Sequence, residues 1–598
     1  MPSQFSFTVP LLMRPAVLLA PLAILAAAIT GVAVFALTRP VTPPPERKVR
    51  LAVLVVFDQM RGDYLKRWQP LFGPDGFVRL QRDGAWFTNC HYPYGVTTTG
   101  PGHASMLTGA CGERHGIVNN DWRENGESVY CAASPRYKLV PSPPYLNEKS
   151  EKKPAERAGG SPDFLLSETV ADVLKEATRG RAKVFGLSLK DRSAILPTGK
   201  RPDGAYWFYG TFGTSTYYAG AVHPWVAEFN RAKMADRWFG TEWTRFRSEI
   251  DYAEWSGVDK ILGEGKGIAQ GVTFPHPMKG VDEKKGADDK KPVEPGIGPK
   301  YYEALANSPF GNELLLDFAK TCVYAEKLGQ HYDPDLLVVS FSSNDLIGHT
   351  WGPDSQEVLD VTLRADAIMA DLLAFLDKRV GKDEYLLAVC ADHGVCPLPE
   401  VSRERGNSGA QRIDMGELHK ALDAHLTALF PATKPAAAGK MAGWAESFGY
   451  PWVYLNPRVV RLSGQSREAI AAEAAKFLAT RPGVYRTLTR SELSGPVSEL
   501  DTIATREKRS FHPARSGDVC VVLQPYCLPS AAIGTGTTHG SPFEYDSHVP
   551  LLVYGPGISG GPRDEPTTPQ ALASIFAKWL EIRRPKDATF PIPVTLQQ

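Results

Sequence analysis

Short runs of aliphatic and β-branched residues recur along this chain and alternate with longer segments of helical periodicity. Runs of the first kind predict buried strands, and apolar residues spaced three and four positions apart predict helices. The predicted strands lie at 50–58, 183–189, 335–342, 385–392 and 549–555. The predicted helices lie at 167–178, 312–328, 359–380 and 467–480. This alternation predicts an α/β fold with a mostly parallel central sheet flanked by helices.

Two irregular segments interrupt the alternation, at about 200–300 and about 400–535. The first is rich in Trp, Tyr and Gly and ends in the charged run VDEKKGADDKKPVEPGIG, whereas the second mixes helical and strand patterns. We interpret both segments as insertions that cap one large domain spanning 50–598, because neither shows a complete alternation of its own.

Residues 15–37 form a continuous apolar segment without a charge. Such a segment is long enough to cross a bilayer as one helix, and a proline-rich linker follows it. We therefore expect 1–49 to be an export signal, either retained as a single membrane anchor or cleaved as a signal peptide. The basic residues around it point the other way, because more of them follow the segment than precede it, which favours a cytoplasmic body.

Composition narrows the possible partners. The formal net charge of +1 leaves no large basic surface, so we expect no nucleic-acid partner.

The eight cysteines form no CxxC motif, which argues against a cysteine zinc site. Cys390 and Cys396 lie close together in sequence, as do Cys520 and Cys527, so each pair forms a disulfide in an oxidising compartment or stays as free thiols.

Acidic and imidazole residues stand where the predicted strands end. Ligands of an open α/β sheet bind beyond the carboxyl ends of its strands. Carboxylate and imidazole are the usual zinc ligands other than cysteine, and two metal ions need about six of them. Six candidates are available, namely Asp58, Asp345, His349, Asp392, His393 and His539. Paired metal ions can clamp the attacking and leaving oxygens at phosphorus, so this set points to metal-assisted phosphoryl transfer.

The stretch TTTGPGHASMLTG, from Thr97 to Gly109, adds a candidate nucleophile. A threonine hydroxyl on a metal loses its proton readily, and a helix beginning here would present free N–H groups to an anion. We interpret Thr97 and Thr98 as loop residues and His103 as a buried structural residue.

Seven motifs identify the chain as a member of the alkaline phosphatase superfamily. They are VVFDQMRGDYL, TTTGPGHASMLTG, HGIVNNDW, SLKDRSAILPTG, SFSSNDLIGHTWGPDS, ADHGVCPLPE and GTTHGSPFEYDSHVPLLVYG, and they extend over about residues 50–580. The chain most closely resembles the zinc-dependent, phosphate-irrepressible alkaline phosphatases that use threonine as the nucleophile. No ligand position of that family is replaced in this sequence.

The resemblance implies two zinc ions. One would be held by Asp58, Thr99, Asp392 and His393, and the other by Asp345, His349 and His539. His548 is the alternative to His539 for the last position. We prefer His539, because a His-Gly pair after a threonine-rich turn matches the family.

The resemblance also implies the catalytic groups. Thr99 would be the nucleophile and form a covalent phosphothreonine, while Asn120, Lys190 and Arg192 would bind the phosphoryl oxygens. Asn119 is the alternative to Asn120. The implied function is hydrolysis of small-molecule phosphate monoesters by a periplasmic enzyme, and we expect a monomer.

Two other functions stay open. A nucleotide pyrophosphatase/phosphodiesterase of the same superfamily shares the nucleophile and the metal ligands. A monoester dianion needs more cationic groups than a diester does, and Lys190 with Arg192 supplies them, which favours the monoester. A non-enzymatic phosphate or metal scavenger on this fold would have lost a ligand or the nucleophile, and neither is lost here.

Overall fold

The structure is a computed structural model that describes residues 48–124, 126–143, 158–280, 296–430 and 443–597. The apolar segment 15–37, expected to be a signal or an anchor, lies outside the described residues. No described helix is both long enough and apolar enough to cross a membrane. From Lys48 onward the chain forms one compact unit.

The aliphatic runs that predict strands form the centre of an eleven-stranded sheet. Every residue of the three central strands is buried, which explains why their sequences show no polar alternation. In chain order the strands are β1 (Leu51–Phe57), β2 (Ala85–Phe87), β3 (Asp121–Glu124), β4 (Glu127–Tyr130), β5 (Ala133–Val140), β6 (Ala158–Gly160), β7 (Val184–Ser188), β8 (Gly204–Phe208), β9 (Phe212–Ser215), β10 (Glu242–Trp243), β11 (His276–Pro277), β12 (Asp335–Phe341), β13 (Tyr385–Cys390), β14 (Ala445–Gly449), β15 (Trp452–Leu455), β16 (Val484–Thr489), β17 (Val519–Leu523), β18 (Leu551–Tyr554) and β19 (Gly561–Arg563).

The strand order across the main sheet is β19-β2-β18-β13-β1-β12-β7-β8-β9-β5-β6. The five strands from β13 to β8 are parallel, and Val53 of β1 lies opposite Leu337 on one side and Leu387 on the other. The predicted α/β fold with a mostly parallel centre is therefore confirmed. The carboxyl ends of these strands meet at one edge of the sheet.

Strand β18, the last predicted strand, runs antiparallel to β13. Its amino end therefore lies at the edge where the parallel strands have their carboxyl ends. The segment from His539 to His548, which precedes β18, therefore lies at the same edge of the sheet as the residues that follow the parallel strands.

Helices connect the strands and cover the sheet. The four predicted helices are present at Val170–Ala177, Pro309–Ala325, Gln356–Leu376 and Arg467–Ala479. The other described α-helices are Tyr64–Arg67, Phe77–Asp83, Thr99–Thr108, Gly112–His115, Asp191–Ile195, Pro224–Arg231, Tyr252–Ser256, Pro299–Ala306, Ser343–Trp351, Pro399–Glu404, Met415–Leu429, Pro457–Ser463, Arg490–Ser494, Thr502–Ser510, Glu544–Ser547 and Ala571–Trp579.

The two irregular segments differ in how their strands relate to the main sheet. Within the first, β8 and β9 extend the main sheet, while β10 and β11 pair separately. Within the second, β14, β15, β17 and β16 form a separate antiparallel sheet in that order. That smaller sheet has its own hydrophobic core, which includes Leu422, Ile470 and Val521.

All eight cysteines are buried free thiols. Neither the Cys390–Cys396 pair nor the Cys520–Cys527 pair is bridged, so closeness in sequence did not bring these sulfur atoms together. Cys520 instead donates its thiol hydrogen to Glu507.

Glu507, on the helix Thr502–Ser510, is an acidic residue in an apolar setting and is only 1% exposed. It packs against Gly95, where an added Cβ would lie 2.0 Å from Glu507 Oε1, so only glycine leaves room for the carboxyl group. Burial raises the pKa of Glu507 to about 7. The folded protein therefore favours the neutral form of this side chain.

We predict that Glu507→Gln makes stability less sensitive to alkaline pH. Because the folded pKa is raised, the stability that Glu507 contributes is present below the ordinary pKa of 4.5 and is lost as pH rises through about 7. The loss amounts to at most about 3 kcal/mol. Thermal unfolding between pH 5 and pH 8.5 should show the wild type falling relative to the variant.

The exposed residue Glu499 provides a matched control, because Glu499→Gln removes a solvated carboxylate from the same segment. That control should follow the wild type across the pH range. Parallel curves for wild type and Glu507→Gln would contradict the prediction.

Candidate active site

The predicted ligands meet at the edge where the parallel strands end. Asp58 directly follows β1, Asp345 lies in the first turn of the helix after β12, and Asp392 follows β13. Lys190 comes shortly after β7, and His539 arrives from the segment before β18. Four strand ends and one incoming segment thus supply the side chains of one site.

The helix Thr99–Thr108 begins at this edge, and every one of its residues is buried. It approaches closely because Gly102 has no side chain: a Cβ there would lie 2.3 Å from the carbonyl oxygen of Asp392. Gly109 ends the helix in the left-handed conformation, with φ of 66°. The glycines of the TTTGPG motif therefore bring a helix N-terminus, with its free N–H groups, against the carboxylates.

Carboxylate and imidazole groups form two overlapping sets. The donor atoms of Asp58, Asp392 and His393 lie within 4.8 Å of one another, and so do those of Asp345, His393 and His539. His393 belongs to both sets, so the two sets have one residue in common.

The three histidines all turn Nε2 toward the carboxylates and Nδ1 toward the backbone. The Nδ1 atoms of His349, His393 and His539 lie 2.7, 2.9 and 2.7 Å from backbone carbonyl oxygens. A carbonyl partner holds the proton on Nδ1, so the lone pair is on Nε2, as in histidines that bind metals. His349 Nε2 lies 3.2 Å from Asp345 Oδ1, which places His349 beside the second set.

The carboxylates carry more negative charge than the nearby cation balances. Lys190 Nζ lies 2.7 Å from Asp58 Oδ2 and 2.5 Å from Asp345 Oδ2. Asp58 Oδ1 is buried without a hydrogen-bond partner, and Asp392 is fully buried nearby. Burial, together with the charge of Asp392, raises the pKa of Asp58 well above its usual range. An unpartnered oxygen, excess negative charge and oriented imidazoles fit the binding of divalent cations.

Burial alone would lower the pKa of His349, but the charge of Asp345 raises it above its ordinary value, so a metal ion at His349 would compete with a proton. The neighbouring groups differ from His349. Burial alone would raise the pKa of Asp345, but His349 and Lys190 hold it well below the usual value. Burial lowers the pKa of His393, and burial with the neighbouring imidazoles lowers that of His539 further. Both rings are therefore neutral near pH 7 and can act as ligands.

Thr99 lies between the carboxylate cluster and a cationic side chain. Its Oγ1 is 3.4 Å from His393 Nε2 and 3.4 Å from Arg192 Nη2. Asn120 Oδ1 accepts a hydrogen bond from the Gly100 N–H at 2.7 Å, beside the start of the helix. The amide nitrogen of Asn120 has no hydrogen-bond partner among the described residues, so it remains available to an anion beside Thr99.

Asn119, the alternative to Asn120, makes hydrogen bonds through both the oxygen and the nitrogen of its side-chain amide. Its Oδ1 accepts hydrogen bonds from the Thr98 hydroxyl and the Asn120 N–H, and its Nδ2 donates to the Tyr450 carbonyl. Asn119 therefore shapes the loop and leaves no group free for a substrate.

Two further histidines lie outside the ligand sets. His103 is buried behind the helix start, with Nδ1 2.9 Å from the Thr99 carbonyl oxygen and Nε2 2.8 Å from Ser340 Oγ. His548, the alternative to His539, stacks on His91 with ring centroids 4.7 Å apart. The structure thus places His539 with the carboxylates and His548 in a different cluster.

Gln59 is a site residue that the sequence analysis missed. Its Nε2 donates to Asp345 Oδ1 at 2.7 Å, and its backbone N–H donates to Asp392 Oδ1 at 3.1 Å. It has a positive φ of 71°, a conformation that costs a residue with a side chain about 1 kcal/mol. Gln59 directly follows the strand-ending Asp58, which was the signal available in the sequence.

Tyr130 is a second missed residue. Its hydroxyl accepts a hydrogen bond from Arg192 Nη1 at 3.1 Å and donates to Asp191 Oδ1 at 2.5 Å. The same carboxylate oxygen accepts from the Arg192 N–H at 2.7 Å. Tyr130 is the last residue of β4 and pairs with Asp121, the residue after Asn120. No sequence motif indicates that Tyr130 and Asp121 pair.

Comparisons with known proteins give one family. The family model described as type I phosphodiesterase / nucleotide pyrophosphatase matches residues 52–540. A protein named calcium-transporting ATPase from Myroides odoratus is 31% identical, over 92% of this chain and 95% of its own. Alkaline phosphatase PafA from Elizabethkingia meningoseptica is 33% identical, over 90% of this chain and 93% of its own.

Crystal structures of alkaline phosphatase PafA have a similar fold. The wild-type structure is 31% identical with a TM-score of 0.79, and the match covers 92% of this chain and 99% of that chain. A PafA variant with one threonine, one asparagine, one lysine and one arginine replaced matches equally well. Agreement in sequence and fold over most of the length shows that the chain belongs to the type I phosphodiesterase / nucleotide pyrophosphatase family of the alkaline phosphatase superfamily.

Proposed function

We propose that this protein is a metal-dependent alkaline phosphatase that hydrolyses small-molecule phosphate monoesters. The observation that carries the proposal is the position of Thr99. Its hydroxyl oxygen lies 3.4 Å from both His393 Nε2 and Arg192 Nη2, beside the buried carboxylates. A nucleophile in that position has a metal-binding cluster on one side and a phosphate-binding cation on the other.

The side chains at this edge fit two zinc ions. One ion would be held by Asp58, Thr99, Asp392 and His393, and the other by Asp345, His349 and His539. The set contains only oxygen and imidazole nitrogen donors, with the imidazoles oriented by backbone carbonyls, a combination that suits zinc. When bound, such ions act as Lewis acids toward the oxygens around phosphorus.

The reaction is a double displacement at phosphorus. Thr99 Oγ1 forms a bond to phosphorus while the bond to the ester oxygen breaks, and the departing alcohol takes up a proton. Water then breaks the Thr99–phosphorus bond of the phosphothreonine, which releases inorganic phosphate and restores the hydroxyl group. During both steps Asn120, Lys190 and Arg192 donate hydrogen bonds to the non-bridging phosphoryl oxygens.

The crystallised PafA variant supports these assignments. Its four replaced residue types, in chain order, are those of Thr99, Asn120, Lys190 and Arg192. Three of these side chains lie around the start of one helix, and Lys190 reaches the carboxylates beside it. The same four positions are therefore the ones we assign to nucleophilic attack and phosphate binding.

The proposed function predicts the class of substrate. An aryl phosphate monoester should be hydrolysed with a kcat/KM at least about 100-fold above that of the matching diester, because the dianion gains more from the cationic groups. A chelator should abolish turnover, and added Zn²⁺ should restore it. Faster diester hydrolysis would identify a phosphodiesterase instead, and hydrolysis of neither ester would leave a binding protein.

Thr99→Ala should lower turnover in the same assay by roughly 10³-fold or more, because it removes the nucleophile. Thr98→Ala is the matched control on the preceding residue and should stay within about tenfold of the wild type, since the Thr98 hydroxyl donates to Asn119 and the alanine keeps the backbone hydrogen bonds. Equal activity of the two variants would contradict the assigned nucleophile.

A separate prediction concerns Lys190. Lys190→Ala should lower monoester kcat/KM by about 10²-fold and change diester hydrolysis by less than about tenfold, because the second ester group removes one phosphoryl charge. The zinc content of the variant should be measured as well, since Lys190 also contacts Asp58 and Asp345. Lys200→Ala, at an exposed lysine, is the control. Equal losses on both esters at full zinc content would contradict the prediction.

A further prediction tests whether Tyr130 positions Arg192. Tyr130→Phe removes the hydroxyl that holds Arg192 Nη1, so monoester kcat/KM should fall roughly tenfold, equivalent to ~1.4 kcal/mol. In an Arg192→Ala background the same change should have almost no further effect. Tyr137→Phe is the control, because the Tyr137 ring packs on Tyr217 away from the site. Additive losses in the double variant would show that Tyr130 acts independently of Arg192.

A further inference from the structure

His91, Glu544 and His548 form a second group of potential ligands away from Thr99. One donor atom from each residue lies within 4.8 Å of those of the other two. None of the three takes part in the proposed reaction. Among the described residues, this is the only group of three such donors that shares no member with the active-site cluster.

The backbone brings the three side chains to the same place. The His548 N–H donates to the Glu544 carbonyl oxygen at 2.8 Å, so these residues lie one helical turn apart and on the same face. His91 lies opposite His548 in an isolated antiparallel bridge. The two imidazole rings stack with centroids 4.7 Å apart and planes inclined by 17°. Two separate chain segments thus present their rings side by side.

The His548 ring is held by its surroundings in the way that metal-binding histidines are held. Its Nε2 lies 3.1 Å from the Thr88 carbonyl oxygen, which keeps the proton on that nitrogen and the lone pair on the other. Gly62 makes room for this orientation, because a Cβ there would lie 2.6 Å from His548 Nε2. A glycine and a backbone carbonyl together fix the ring.

Charge around the group agrees with cation binding. Glu544 is exposed and forms no ion pair among the described residues. Its carboxylate therefore offsets the charge of Arg506, whose guanidinium contacts the Pro542 carbonyl and Ser547 Oγ.

We propose that His91, Glu544 and His548 bind a zinc ion at a peripheral site distinct from the active site. Two imidazoles and one carboxylate are a known three-residue zinc set that leaves the fourth position to water. The ion would join the chain at His91 to the Glu544–Ser547 turn. Because that turn follows His539 closely in sequence, the peripheral ion would stabilise the segment that carries an active-site ligand.

The test is a count of zinc ions in the purified full-length chain. After equilibration with Zn²⁺ and desalting, elemental mass spectrometry should find one zinc per chain fewer in Glu544→Gln and in His91→Asn than in the wild type. Monoester turnover at 25 °C should stay within about twofold of the wild type. His425→Asn is the control, because His425 stacks on Phe477 and belongs to no ligand group among the described residues.

Thermal unfolding gives a second readout. Added Zn²⁺ should raise the unfolding temperature of the wild type more than that of Glu544→Gln, because the variant lacks one ligand of a site that exists only when folded. Equal zinc content in all variants, or equal stabilisation by zinc, would overturn the proposal. If the proposed phosphatase site held no zinc, the wild type would still hold one ion that both variants lose, so the two failures can be told apart.

Discussion

Three aspartates buried at one edge of a sheet are the constraint on which this site depends. Removing carboxylates from water is costly unless positive charge or hydrogen-bond donors replace the lost solvent. The protein supplies the Lys190 ammonium and two donors of Gln59, the side-chain amide and the backbone N–H. These groups still leave Asp58 Oδ1 unpartnered, and the raised pKa of Asp58 reflects the remaining imbalance. The same imbalance favours the binding of positive charge at this site.

Much of this architecture could be predicted because it depends on local sequence. A strand buried on both faces has to be aliphatic throughout, so β1, β12 and β13 stand out, and an aspartate directly after such a strand must lie at the sheet edge. Gly102 lets the helix that begins at Thr99 pack directly on a neighbouring backbone, because a helix can come this close only where a side chain is missing.

Other features depend on contacts that no single segment encodes. Asn119 and Asn120 are chemically identical neighbours, and only their partners, Tyr450 for one and Gly100 for the other, distinguish them. Tyr130 reaches Arg192 because the β3–β4 hairpin folds back, which depends on pairing across the turn. The sequence left both a disulfide and free thiols open for the Cys390–Cys396 and Cys520–Cys527 pairs, and the structure has free thiols at all four positions. The residue types of β18 also do not indicate that this strand runs antiparallel to β13.

The contact between Gly102 and the carbonyl of Asp392 has a mechanical consequence. Backbone atoms of the helix and of the loop after β13 touch there without an intervening side chain. Closely packed main chains deform far less than flexible side chains do, so the two elements should shift together when the surrounding interior rearranges. The distance between the Thr99 hydroxyl and the Asp392 carboxylate should therefore change little when packing elsewhere in the protein changes.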